Sequence, residues 1–273
     1  METTLDLGIR GKTALVAGAS AGMGKSSALA LAEEGVDIFL SARGEARLVA
    51  AADEISAKTG AKVVPVVADH STESGRLALT KVCPNPDIMV TTISPPPVRF
   101  KYRELTPEDW YQSIDLGLIG PIELMKHYTE GMAERGWGRV VNIGTVAAKM
   151  PLEMRLLSGP ARSALINYTA VVSRLLAKDG VVINNVLPGM IETPGLYNAA
   201  KQFAGEQNLS ADEMGLNDRE VLLQRVVDTF SIPTGTVGES DDVGKLVAMF
   251  CGDAAKFIVG QSLIVDGGMA PLM

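Results

Sequence analysis

The chain alternates between short, almost uninterrupted apolar runs and longer segments in which apolar residues recur every three to four positions. The runs cover Ala14–Ala17, Ile38–Ser41, Val63–Val67, Ile88–Ile93, Val140–Ile143, Val181–Leu187 and Leu263–Val265. A strand with one wet face would alternate apolar and polar residues. Continuous runs are what parallel strands need when helices cover both faces. The intervening periodicity predicts helices over Met23–Glu34, Ala46–Thr59, Ser71–Val82, Pro107–Arg135, Leu157–Lys178 and Asp241–Cys251. Alternation of this kind implies right-handed crossovers and an α/β fold, a doubly wound parallel seven-stranded sheet of Rossmann type. One interval breaks the rhythm. From Met190 to Pro233 two helical patterns, about Gly195–Gly205 and Ser210–Thr229, follow each other without a strand. Residues 190–233 are therefore expected to form a lid over the strand ends, within a single domain spanning residues 1–273.

The join between the first run and the first helix carries chemistry. It reads Gly18-Ala19-Ser20-Ala21-Gly22-Met23-Gly24. Between a strand and a helix, such glycines allow a sharp turn, close approach of backbone amides to a pyrophosphate, and tight helix–strand packing. A nucleotide cofactor is the expected ligand. The second run ends Ser41-Ala42-Arg43. An acid at position 42 would accept both ribose hydroxyls and repel a 2′-phosphate, whereas the Arg43 guanidinium can fork onto one. NADP(H) is favoured over NAD(H).

Charge and composition narrow the partners. The net charge is −7 and no Lys/Arg run interrupts it, which argues against nucleic acid and anionic membrane surfaces. The N-terminus is too acidic for a signal peptide, and no stretch is long and apolar enough to span a bilayer. Cys83 and Cys251 have no metal or redox spacing. With only His70 and His127, histidine triads and zinc sites are poor fits and no metal is expected. The expectation is a cytoplasmic protein acting on a small molecule.

These pieces together resemble the short-chain dehydrogenase/reductase family over nearly the whole chain, and most closely its 3-oxoacyl-carrier-protein reductase type. The glycine turn matches the family's nucleotide signature, with Ala17 where a threonine is usual. Asp69, with His70 beside it, matches the acid that caps the adenine amino group. Thr91-Thr92-Ile93-Ser94 stands where the family has Asn-Asn-Ala-Gly after the fourth strand, with Thr92 and Ile93 facing the cofactor, and Pro95-Pro96-Pro97 comes next. Pro188-Gly189-Met190-Ile191-Glu192-Thr193 matches the motif whose threonine meets the nicotinamide carboxamide, and Gly260–Gly268 matches the C-terminal strand. The resemblance also implies a homotetramer or homodimer built through the two long helices.

The active site departs from the pattern. The resemblance implies an Asn, Ser, Tyr and Lys set, the tyrosine handling the proton and the lysine lowering its pKa. Here the serine position is Thr145, the tyrosine position Ser158, the lysine position Arg162 and the asparagine position Gly117. A serine hydroxyl is a far weaker acid than a phenol, and an arginine stays charged, so Arg162 can stabilise an oxyanion but cannot shuttle a proton. Replacement acids are scarce. Tyr197 and Tyr102 border the expected cleft but are ordinarily packing residues, and Tyr168 lies too far along its helix. Lys149, Glu153 and Arg155 are expected at the surface, and neither His70, beside the adenine site and far from the chemistry, nor His127 suits catalysis. Enoyl reductases of the family place a tyrosine seven residues before the lysine, where this chain has Arg155. Met150, Pro151, Leu152, Met154, Met190 and Leu196 suggest an apolar substrate pocket. The reading is an NADP(H)-dependent oxidoreductase acting on a carbonyl, hydroxyl or activated double bond with non-standard proton delivery. The alternative is a non-redox nucleotide-binding pseudoenzyme, lyase or isomerase on the same scaffold.

Overall fold

The computed structural model describes residues 6–93, 101–206 and 210–271. Ser94 and the triple proline Pro95–Pro97, singled out in the sequence, lie outside the described residues. The elements run β1 (Thr13–Ala17), α1 (Gly22–Glu33), β2 (Asp37–Ala42), α2 (Glu45–Thr59), β3 (Val63–Val67), α3 (Glu73–Val82) and β4 (Ile88–Thr91). They continue with α4 (Pro107–Ile114), α5 (Gly120–Glu134), β5 (Gly138–Ile143), α6 (Ser158–Leu176), β6 (Val181–Pro188), α7 (Pro194–Glu206), α8 (Arg219–Phe230), α9 (Ser240–Cys251) and β7 (Ser262–Val265). The strands form one parallel seven-stranded sheet in the order β3-β2-β1-β4-β5-β6-β7. The order reverses between β1 and β4, and ligands of such sheets sit outside the strand ends at that switch point.

In the inner strands the continuous apolar runs have the predicted cause, whereas the edge strands β3 and β7 are partly exposed. β4, β5 and β6 are buried along their whole length. One core, including Val16, Ile38, Ile88 and Val247, fills one face, and a second, including Leu15, Met89, Leu124 and Ile183, fills the other. A third cluster stands apart: Leu196, Leu216, Leu222, Val226 and Ile232 pack on Val146 and Met269. It gives the 190–233 excursion its own apolar floor.

Two helix predictions need correction. The span Pro107–Arg135 is not one helix. α4 runs into a π-helical turn at Asp115–Ile119, and α5 begins at Gly120 with Pro121 next. Pro121 has no amide to donate, and the glycines at 117 and 120 weaken the regular ladder. The pattern at Ser210–Thr229 becomes helix only from Arg219. Gly215 adopts φ +65°, which ends the preceding turns, and Asp218 caps α8 by accepting from the amides of Glu220 and Val221.

Candidate active site

The glycine turn is fixed by what its neighbours leave no room for. Gly18 has φ +81°, and a Cβ there would lie 2.0 Å from the Thr92 carbonyl oxygen. A Cβ on Gly24 would approach the Gly18 carbonyl oxygen and Thr92 Cγ2 to 2.6 Å. The Gly18 and Ala19 amides donate to the Ser41 carbonyl, at 2.8 and 2.9 Å, which ties the turn to β2. The first turn of α1 holds no acid, and its N-cap residue, Ala21, has no side-chain acceptor. Its amides are thus available to an anion, helped by the helix dipole.

A groove of about 380 Å³ lies against this turn, bordered by Gly18, Ser20, Ala21, Gly22, Met23 and Gly24, by Thr92 and Ile93, and by Thr193 across the gap. It continues past Thr92 into a recess between Ala42, Arg43, Asp69 and His70. Arg43 reaches Asp69 at 3.9 Å. Burial pushes the Asp69 carboxyl upward, but the Ser71 hydroxyl and amide and the Arg43 charge outweigh it and leave it lowered. In the other direction the groove opens into a deeper pocket holding Thr145, Ser158, Arg162, Pro188, Gly189, Ile191 and Thr193. All of the predicted cofactor and catalytic positions thus line one continuous depression along the sheet's carboxyl edge. Gly189 fits because it packs on Asp266, where a Cβ would come within 2.5 Å of the Asp266 Cβ. Asp266 in turn accepts from the amides of Gly268 and Ala270.

Arg162 is 5 % exposed, and its Nη1 has no hydrogen-bond partner. That nitrogen lies against Gly117, where a Cβ would sit 2.8 Å away. The guanidinium therefore fills space that a side chain at position 117 would need. Burial, and then the charge of Arg155, push the Arg162 guanidinium down to about 10, so it stays cationic at neutral pH. Ser158, one turn earlier on the same face of α6, is buried at the same pocket. The Thr145 hydroxyl accepts from the Ala147 amide at 3.3 Å and keeps its own proton to donate.

Several sequence expectations change. Arg155 is not a surface residue. It is half-buried, borders both the cofactor groove and the inner pocket, and burial lowers its pKa. His70 is not remote from the chemistry: it is buried, Gly120 packs on its ring, and the Arg162 charge acts on it. Burial above all holds its pKa near 4, so it is neutral. Tyr197 packs on the third apolar cluster, as expected, and is also engaged through its hydroxyl. Its hydroxyl donates to Glu192 at 2.6 Å, and Glu192 also takes two bonds from Arg219. Tyr102 is exposed and bonded to Arg103, Tyr168 packs in the core beneath α6, and Lys149, Glu153 and His127 are exposed. Arg47, in the first turn of α2 and four residues after Arg43, borders both the groove and the recess. No motif in the sequence singles it out. Arg155 stands two turns before Arg162, but on a loop where spacing alone says little.

Beside the inner pocket lies a cleft of about 730 Å³ under the excursion, walled by Pro151, Leu152, Met154, Met190, Leu196 and residues of α7 and α8. Met150 packs in the apolar cluster behind it. Met190 and Leu196 border both spaces.

Comparison with known proteins agrees with this geometry. A family model described as enoyl-(acyl carrier protein) reductase matches residues 18–270. A 3-oxoacyl-[acyl-carrier-protein] reductase of Vibrio cholerae is 29% identical, the alignment covering 96% of this chain and 99% of that protein. An uncharacterized oxidoreductase of Bacillus subtilis is 25% identical over 97% of this chain and 98% of its own length. Among solved structures, L-sorbose reductase from Gluconobacter frateurii, complexed with NADPH and L-sorbose, superposes with a TM-score of 0.88 at 27% identity, covering 98% of this chain and all of that one.

Proposed function

This chain belongs to the short-chain dehydrogenase/reductase family, and from that premise we propose that it is an NADP(H)-dependent carbonyl oxidoreductase whose oxyanion is stabilised by arginine rather than protonated by tyrosine. The observation that carries this reading is the continuous depression that joins the glycine turn to Thr145, Ser158 and Arg162. The α1 amides and Gly18, Gly22 and Gly24 would hold the pyrophosphate, and Arg43 with Arg47 a 2′-phosphate. Asp69 would cap the adenine. Thr193, Pro188, Gly189 and Ile191 would border the nicotinamide, and Arg162 its ribose. Bound there, the reduced nicotinamide supplies a hydride to the substrate's carbonyl carbon.

As that bond forms, the carbonyl electron pair moves onto oxygen, and the chain's task is to stabilise the charge. Thr145 and Ser158 donate hydrogen bonds to the oxygen, and the buried Arg162 cation lowers its energy. Among the described residues bordering the inner pocket the only ionisable side chains are Arg155 and Arg162, and neither releases a proton near pH 7. The proton that completes the alcohol comes from water. Without a tuned acid the turnover is slow, since general acid catalysis typically contributes about 10²–10⁴-fold. We further propose that the chain assembles with copies of itself through α5 and α6.

The reading is tested by NADPH fluorescence titration and by NADPH oxidation against a panel of ketones. Saturable binding with measurable turnover, reduced at least about tenfold by Thr145→Val and by Arg162→Met, is expected. A folded protein that does not bind NADPH overturns the cofactor assignment. NADPH binding without turnover on any carbonyl identifies a non-redox protein on this scaffold.

A further inference from the structure

The inner pocket holds two guanidinium groups and no acid. Arg155 and Arg162 both border it. Among the described residues, neither side chain has a carboxylate within ion-pair distance or a hydrogen-bond acceptor, while other arginines of the chain, Arg43, Arg135, Arg139 and Arg219, each have one. Arg162 is the more extreme, 5 % exposed with an orphaned Nη1. A buried cation without a partner is costly, and folded proteins keep one chiefly where a ligand supplies the missing charge. The neutral nicotinamide and ribose hydroxyls can satisfy hydrogen bonds on Arg162 but bring no negative charge into the inner pocket.

The neighbouring space says what kind of anion fits. Met190 and Leu196 border both the pocket and the cleft of about 730 Å³, whose walls are mostly apolar, with Met154, Phe203, Leu222 and Val226, and also carry Glu153, Arg225 and Asp228. A small inorganic anion would leave that apolar space wet. A molecule with a carboxylate at one end and an aliphatic chain at the other fills both.

We infer that Arg155 is a specificity-determining residue that binds the free carboxylate of an oxo-acid substrate, its aliphatic chain lying in the cleft under residues 190–233. This deepens the proposed function and rests on it: Arg162 faces the developing oxyanion and Arg155 the carboxylate, so each cation has its own anion. The guanidinium of Arg155 offers a planar fork that matches a carboxylate's two oxygens, and its half-buried position lets a ligand reach it.

The test is equilibrium binding of octanoate and of its neutral analogue octanamide, measured calorimetrically on the protein with and without saturating NADPH. Octanoate is expected to bind about tenfold or more tightly than octanamide. Arg155→Met removes that preference and Arg155→Lys retains part of it. Equal affinity for the two probes overturns the inference. So does loss of NADPH affinity in Arg155→Met together with an unchanged octanoate preference, which would assign the arginine to a cofactor phosphate. Absence of NADPH binding by the unaltered protein instead removes the proposed function, and is read in a separate titration. Turnover provides a second readout: 2-oxooctanoate should have a lower KM than 2-octanone, and Arg155→Met should raise the first KM and leave the second.

Discussion

Arg162 and Gly117 are a matched pair. The guanidinium reaches into the volume a side chain at 117 would occupy, so the sizes of the residues at the two positions are coupled. Gly117→Asn forces that nitrogen aside, and we expect a loss of about 1–3 kcal/mol from overpacking. Adding Arg162→Lys, with its slimmer end, recovers part of the loss. Thermal unfolding of the two single variants and the double variant measures the coupling. The same arginine sets the pH limit of the reaction. With its pKa near 10 and no phenol at the pocket, kcat/KM should be flat from about pH 6 to 9 and fall as Arg162 loses its charge near pH 10. A break near neutrality would reveal an acid this account lacks. His70 gives the opposite sign at the other end of the scale. Its folded pKa of about 4 lies below the ordinary imidazole value of 6.5, so the unfolded chain binds the extra proton. Its contribution to stability is present above pH 6.5 and lost as pH falls toward 4. By about pH 4.5 the loss is on the order of 2 kcal/mol, and His70→Gln should flatten denaturant-measured stability across that window. The three glycines stood out in the sequence by their place between a strand and a helix, and Thr145, Ser158 and Arg162 only through the resemblance to the family's motifs. Arg155 and the burial of His70 were not legible, since both depend on which segments fold over them.

The elements show the same division. Strand boundaries were readable because a strand buried on both faces carries its environment in its own composition, as β6 does. The break between α4 and α5 was not, because an apolar face continues across residues 115–119 while the backbone shifts register beneath it. That shift brings Gly117 and Gly120 against Arg162 and His70, so the π turn serves the site rather than the core. The excursion is held by a clasp. Glu192, just after β6, accepts Tyr197 from α7 and both forks of Arg219 from α8. Three segments therefore meet on one carboxylate, whose pKa those bonds lower. Glu192→Gln keeps the shape but weakens the charge-assisted bonds to Arg219. Amide hydrogen exchange in α7 and α8 should accelerate while the sheet stays protected, and the KM for an apolar substrate should rise more than kcat falls. Uniform acceleration throughout the chain would mean that the clasp supports the whole fold instead of the cover.

At the scale of the whole molecule, apolar surface is distributed unevenly. The outer face of α6 presents Val171 and Leu175, one turn apart and 56 % and 65 % exposed. Phe257, before β7, is 96 % exposed. Single exposed apolar residues are ordinary, but a pair on one helix face is a surface that water covers poorly and a second copy covers well. A two-fold axis would pair α5 and α6 with their counterparts, using one patch on both sides. Because Val171 and Leu175 point away from the core, replacing both with glutamate costs the isolated chain little. It places four like charges across a symmetric contact. The double variant should therefore elute with the mass of a single 28.8 kDa chain in light-scattering chromatography, where the unaltered protein elutes as a multiple, and its circular dichroism should be unchanged. Since the pocket of one chain contains every residue assigned to cofactor and substrate here, NADPH affinity should survive the separation. An unaltered protein that already runs as a single chain at micromolar concentration would leave this face for another partner.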